Sequence, residues 1–167
     1  MSRKHTVPTF ALMLLVAGMG LVARETRAAS GPFQYFAVTP CRVADTRSAS
    51  YNVGAFLNGT PSLAGAVTRA FFTKGMCGVP GAAKAVTVNA TVVNPTGQGW
   101  LALFPGGTAW SGISTLNFPA GAGATANGAI VPLSACTSPC GDLNVLYGVT
   151  PSSNSTDFVL DITGYFQ

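Results

Sequence analysis

Beyond residue 30, this chain contains no long stretch in which apolar residues recur at helical spacing. Gly, Pro, Asn and Ser cut it instead into short runs rich in Val, Ile, Thr and aromatic residues, and such runs bury a core as strands. The cleanest is Ala85–Val93. Val86, Val88, Ala90 and Val92 point to one face, Thr87, Asn89 and Thr91 to the other, and Pro95 and Gly97 end the run. Asp157–Phe166 repeats the pattern, with Phe158, Leu160, Ile162 and Phe166 as the apolar face and Asp157, Asp161 and Thr163 as the polar one. Less regular runs lie at Gln34–Val38, Arg42–Asp45, Ala66–Thr73, Trp100–Phe104, Thr115–Phe118, Ala129–Leu133 and Leu143–Tyr147. Trp100–Phe104 and Ala129–Leu133 are apolar on both faces, as in strands covered on each side, and Pro132 puts the latter at a sheet edge or a bulge. Ser48–Leu63 and Pro119–Thr125 read as loops. The predicted fold class is all-β: an antiparallel two-layer β-sandwich, or a distorted barrel, of about nine short strands.

Residues 1–29 read differently. Arg3, Lys4 and His5 precede Phe10–Ala23, a run of apolar and small residues as long as a signal-peptide core and short of the about 20 that span a bilayer. Residues 1–29 are therefore expected to be a signal peptide, cut near Ala28 or Ala29. Residues 30–167 are expected to form a single β-sandwich-like domain, secreted or held at the cell surface, with no membrane span. An uncleaved anchor is the rival reading of the same run.

Export would change the chemistry of the chain. Its only His is His5 and its only Glu is Glu25. Beyond the leader the carboxylates are Asp45, Asp142, Asp157 and Asp161, and the cations are Arg42, Arg47, Arg69, Lys74 and Lys84. The formal charge of +4 thus belongs mostly to the leader. A near-neutral remainder gives no electrostatic footprint for nucleic acid. With so few titrating groups, neither general acid–base nor triad chemistry is expected, and the domain is read as no enzyme. Gly-x-Ser-x-Gly is absent, and no base stands ready to activate the many Ser and Thr residues.

The cysteines are Cys41, Cys77, Cys136 and Cys140. In an exported chain an even count reads as disulfides, and four cysteines allow three connectivities. The favoured one pairs Cys41 with Cys77 and Cys136 with Cys140, the second closing the tight loop Cys-Thr-Ser-Pro-Cys. The first closes a far longer loop, worth roughly 4 kcal/mol by chain entropy. A four-cysteine zinc site would need two close pairs, and the sequence has one. Calcium would need several more oxygen ligands than Asp161 supplies on one strand, although Asp142 and Asp157, flanking the last two strands, could help. No metal or cofactor is expected.

Phe36-Ala-Val-Thr-Pro-Cys-Arg-Val-Ala-Asp-Thr-Arg47 resembles the PCR-x-x-DTR opening of an uncharacterised β-rich module of secreted bacterial proteins. Cys77-Gly-Val-Pro80, the run Ala83–Val93, Thr115–Phe118, Asn127–Pro132 and the terminal Val159–Phe166 follow in the module's order. The resemblance covers nearly all of residues 30–167. It implies a Cys41–Cys77 bond and no defined catalytic role, and it leaves the Cys136–Cys140 pairing to rest on spacing alone.

Within this opening, Arg42, Asp45 and Arg47 are expected to form a structural ion-pair network, joined by Arg69, rather than an anion site. Trp110, Tyr51 and Tyr147 are candidate ligand-binding residues, because flat aromatics stack on sugar rings; Trp100 reads as core. Asn58, Asn89 and Asn154 head glycosylation sequons, with Asn89 in mid-strand and the other two in loops. Two functions fit. The first is a non-catalytic exported structural or interaction module of the bacterial cell exterior, self-associating into a surface layer or fibre or joining another surface protein. The second is an extracellular carbohydrate- or ligand-binding module that uses exposed aromatics.

Overall fold

The structure is a computed structural model that describes residues 31–53, 56–135 and 141–167. The predicted leader and the Cys136–Cys140 pair lie outside the described residues. Among the described residues, eleven strands and one 3-10 turn follow in chain order. They are β1 (Tyr35–Asp45), the turn Ala49–Tyr51, β2 (Asn52–Val53), β3 (Phe56–Leu57), β4 (Leu63–Ala64) and β5 (Thr68–Phe71). After them come β6 (Ala85–Val93), β7 (Gly99–Pro105), β8 (Leu116–Phe118), β9 (Ala124–Pro132), β10 (Leu143–Val149) and β11 (Ser155–Phe166). Among the described residues no helix is long and apolar enough to cross a membrane.

One sheet runs β1-β11-β6-β9, with β4 pairing the start of β11, and the other runs β5-β10-β7-β8; β2 and β3 form a small ribbon. All pairings are antiparallel. The two sheets pack as a β-sandwich, so the expected fold class holds. The first contributes Val86, Val88, Ala90 and Val92 of β6 and Phe158, Leu160 and Ile162 of β11 to the core. The second contributes Phe71, Leu101, Leu116, Phe118, Leu143, Val145 and Tyr147. Phe71 meets Phe158 edge-on across the interior, ring centroids 5.3 Å apart. Each such side chain contributes about 1.5–3 kcal/mol by leaving water.

Ala85–Val93 is a strand over the expected span, and its burial alternates as its sequence does. Gln34–Val38 and Arg42–Asp45 prove to be one strand, β1, with register shifts between Ala37 and Cys41 and between Arg42 and Ala44. The apolar face expected on the last strand needs a correction. A register shift between Ile162 and Gly164 inserts Thr163, so Tyr165 pairs with Val86 on the core side and Phe166 turns outward beside Tyr35. The Ala129–Leu133 run is not covered on both faces, because Ile130 is 63 % exposed. Its strand begins earlier, at Ala124, and forms an edge of the first sheet, which accounts for Pro132.

Candidate functional site

β1 carries the expected disulfide and ion pairs, Cys41 lying opposite core-facing Ile162 and Arg42 opposite Asp161 on the outer face of the first sheet. Cys41 is bonded to Cys77, 36 residues away, with their Cα atoms 5.6 Å apart. Arg42 lies opposite Asp161 of β11, and its guanidinium donates from Nε to Oδ1 at 2.8 Å and from Nη2 to Oδ2 at 3.2 Å. The same guanidinium reaches Asp45 from Nη1 at 3.3 Å. Asp45 accepts further bonds from the backbone N–H of Arg47 at 3.1 Å, from its Nε at 2.8 Å and from its Nη2 at 2.7 Å. The hydrogen bonds from Arg47 chiefly hold the Asp45 carboxyl below its ordinary range. In return, Arg42 and Arg47 are held above the ordinary arginine value, chiefly by their bonds to Asp161 and Asp45.

Arg69 does not join this network. It lies on β5 in the other sheet, where its guanidinium clamps the backbone carbonyls of Pro61 and Gly59 and stacks 4.9 Å from the centre of the Phe71 ring. Burial draws its pKa below the ordinary arginine value. The network is therefore Arg42, Asp45, Arg47 and Asp161.

The other carboxylates are also bound. Asp142, 1 % exposed, accepts the backbone N–H and hydroxyl of Thr73 and the backbone N–H of Lys74. Asp157 accepts the hydroxyls of Thr46 at 3.2 Å and Ser62 at 2.6 Å. Among the described residues no three His, Cys, Asp or Glu side chains gather where a metal ion would sit. The sequon residue Asn58 is wholly buried; its Nδ2 donates to the carbonyls of Val43 and Phe72 and its Oδ1 accepts from Phe72 N. It is a hub of the fold: it lies in a loop as read from the sequence, but its buried, fully bonded amide is no acceptor for a glycan. Asn154 is half-buried, its Oδ1 accepting from Thr96.

Two open grooves are uneven in character. One, of about 480 Å³, lies over the Arg42–Asp161 pair and is lined also by Pro40, Cys41, Tyr51, Asn89 and Thr163. The other, of about 560 Å³, holds no charged residue and includes Gln98, Trp100, Asn117, Phe118 and Gly148. The candidate aromatics are not brought together. Tyr51 lines the first groove, whereas Tyr147 is wholly buried on the inner face of β10, where Phe118 packs 5.9 Å away. Tyr147 cannot bind a ligand, and that expectation is corrected: it alternates with Asn144 and Leu146 and falls on the core side.

Trp110 is 40 % exposed in the connection between β7 and β8. One face of its indole stacks on Trp100, centroids 4.5 Å apart and planes 20° apart, and its Nε1 donates to the Ile113 carbonyl at 2.9 Å. Trp100 in turn lies on the backbone of Gly148, where an added Cβ would come within 2.0 Å of the indole. Both faces of Trp100 are thus covered, and the outer face of Trp110 is the one left for a flat ligand. A glycine inside a strand of apolar residues marks such close approach, a signal present at Gly148. No protein-family model matches the chain, and no curated protein matches it.

Proposed function

We propose that this chain is a non-catalytic, exported structural or interaction module of the bacterial cell exterior, acting through its surface and associating with further copies of itself. The observation that carries this reading is the commitment of all four carboxylates of residues 31–167 to structural bonds: Asp45 and Asp161 to arginines, Asp142 to Thr73 and Lys74, and Asp157 to Thr46 and Ser62. A carboxylate so held cannot readily exchange a proton with a substrate. The apolar leader, the disulfide and the resemblance of the Pro40-Cys-Arg and terminal Asp-Ile-Thr-Gly-Tyr-Phe segments to a module of secreted proteins support export. Light scattering and electron microscopy of the exported protein test the reading: assemblies larger than the monomer are expected.

The second reading, a glycan-binding module, is favoured by the oriented and solvent-facing Trp110. It predicts that Trp110→Ala abolishes retention on an insoluble glycan while leaving the melting temperature almost unchanged. Retention that is negligible for both proteins sets that reading aside.

A further inference from the structure

We propose that β9 is a self-pairing edge through which two copies of this chain join antiparallel across a two-fold axis; this rests on the self-associating reading above and names its surface. The direction of the unpaired groups follows from the ladder. Asn94 donates to the Gly123 carbonyl at 2.9 Å at one end, and Leu133 donates to the Lys84 carbonyl at 2.7 Å at the other. With the unbroken register between them, these bonds aim the N–H and C=O of Thr125, Asn127, Ala129 and Val131 at β6. The same groups of Ala124, Ala126, Gly128 and Ile130 then point to the open side, and all four residues are exposed. Pro132 falls in the outward set, so its missing N–H takes nothing from the pairing with β6 and ends the run of free donors.

The other end strands of the two main sheets, β1, β5 and β8, are blunted. β1 carries two register shifts, Pro40, a disulfide and the Arg42 and Asp45 charges. β5 has four residues, one of them Arg69, and β8 has three. Short length, irregularity and charge are the usual guards of an edge. β9 has nine residues, no irregularity against β6, and no charge anywhere from Pro119 to Ala135.

A second copy is the partner this edge fits. Strand addition by a foreign peptide draws its specificity from pockets for alternate side chains, and β9 lines neither groove. Its outward residues are Ala, Ala, Gly and Ile, so recognition falls to the backbone. A two-fold axis at Asn127 pairs Ala124 with the partner copy's Ile130 and Ala126 with its Gly128. That register uses every outward N–H from Ala124 to Ile130 and leaves Pro132 outside. No like charges meet on the paired strands. Because such an interface is the same patch on both copies, it closes at the dimer, and a layer or fibre needs a second, different interface.

The test is the solution mass of the purified protein lacking residues 1–29 and of its variants, with circular dichroism to establish folding. The wild-type protein is expected to dimerise. Gly128→Pro removes an outward N–H, and Ala126→Lys sets two charges diagonally across the axis; each should weaken the dimer about tenfold or more. Mild oxidation should cross-link Asn127→Cys to itself, and should leave Ala124→Cys uncross-linked because the two copies of that residue lie at opposite ends of the paired strands. Should Gly128→Pro misfold, Ala126→Lys carries the test. A wild-type protein that stays monomeric at high concentration overturns the proposal. A dimer unchanged in folded Ala126→Lys also overturns it, while the self-associating reading survives through another surface. A dimer dissolved by the β9 substitutions, in a protein that never assembles further or stays on cells, upholds the edge and ends the surface-layer reading.

Discussion

Asp45 accepts three hydrogen bonds from Arg47 and one from Arg42 while itself only 6 % exposed. Replacing it with Asn removes the charge that two guanidinium groups face and sets an amide against their N–H donors. Because both arginines are partly in water, the expected loss is about 2 kcal/mol, below that of a fully buried pair. The folded carboxyl is held below its ordinary range, so its contribution is complete above about pH 4 and is lost as the pH falls through the folded value. Urea unfolding should therefore separate the wild type from Asp45→Asn at pH 7, and the gap should narrow as the pH falls below about 4. A gap that stays constant across that range refutes the assignment. The grouping of Arg42, Asp45 and Arg47 was legible because a strand and its first turn keep such neighbours close. Asp161 as the bidentate partner of Arg42 was not, since it depends on β1 lying beside β11 in a register set by irregularities.

The Cys41–Cys77 bond ties β1 of the first sheet to the loop that follows β5 of the second. Replacing both cysteines with Ser should cost roughly 4 kcal/mol and lower the melting temperature by about 10 °C or more, with circular dichroism unchanged below the transition. A shift of a degree or two would mean that the reduced chain keeps these elements together by packing alone. Elements differ in how plainly the sequence announces them. β6 alternates without interruption and was legible end to end, because a strand buried on one face leaves its period in the residue types. The turning of Phe166 was hidden by one inserted residue, Thr163, which flips every later side chain. β9 was under-read for a different reason: Ala124, Ala126 and Gly128 are small edge residues, so nothing in their chemistry separates strand from loop. Tyr147 was misplaced because an amphipathic ring suits either a core or a surface.

At the scale of the molecule, residues 31–167 bring no His and no Glu into the fold, and their four carboxylates belong to Asp. If Cys136 and Cys140 are bonded to each other, as Cys41 and Cys77 are, no side chain has an ordinary pKa between about 5 and 9. Stability changes with pH only where the folded and unfolded chains bind different numbers of protons. The acid limb belongs to carboxylates such as Asp45. The alkaline limb includes Tyr147, whose burial raises its pKa, so its stabilising effect is full below about pH 10 and is lost as the pH rises through the folded value. The melting temperature of the protein without residues 1–29 should therefore run flat from about pH 5 to pH 9 and fall on either side. A step near pH 8.5, removed by alkylating the protein under non-reducing conditions, would place a free thiol at Cys136 or Cys140 and overturn their pairing. In protein expressed as the full chain, a step near about pH 6.5 would require a histidine, and so a chain that keeps His5 and its leader. One titration of thermal stability thus tests the second disulfide and the cleavage together, and the two failures fall at different pH values.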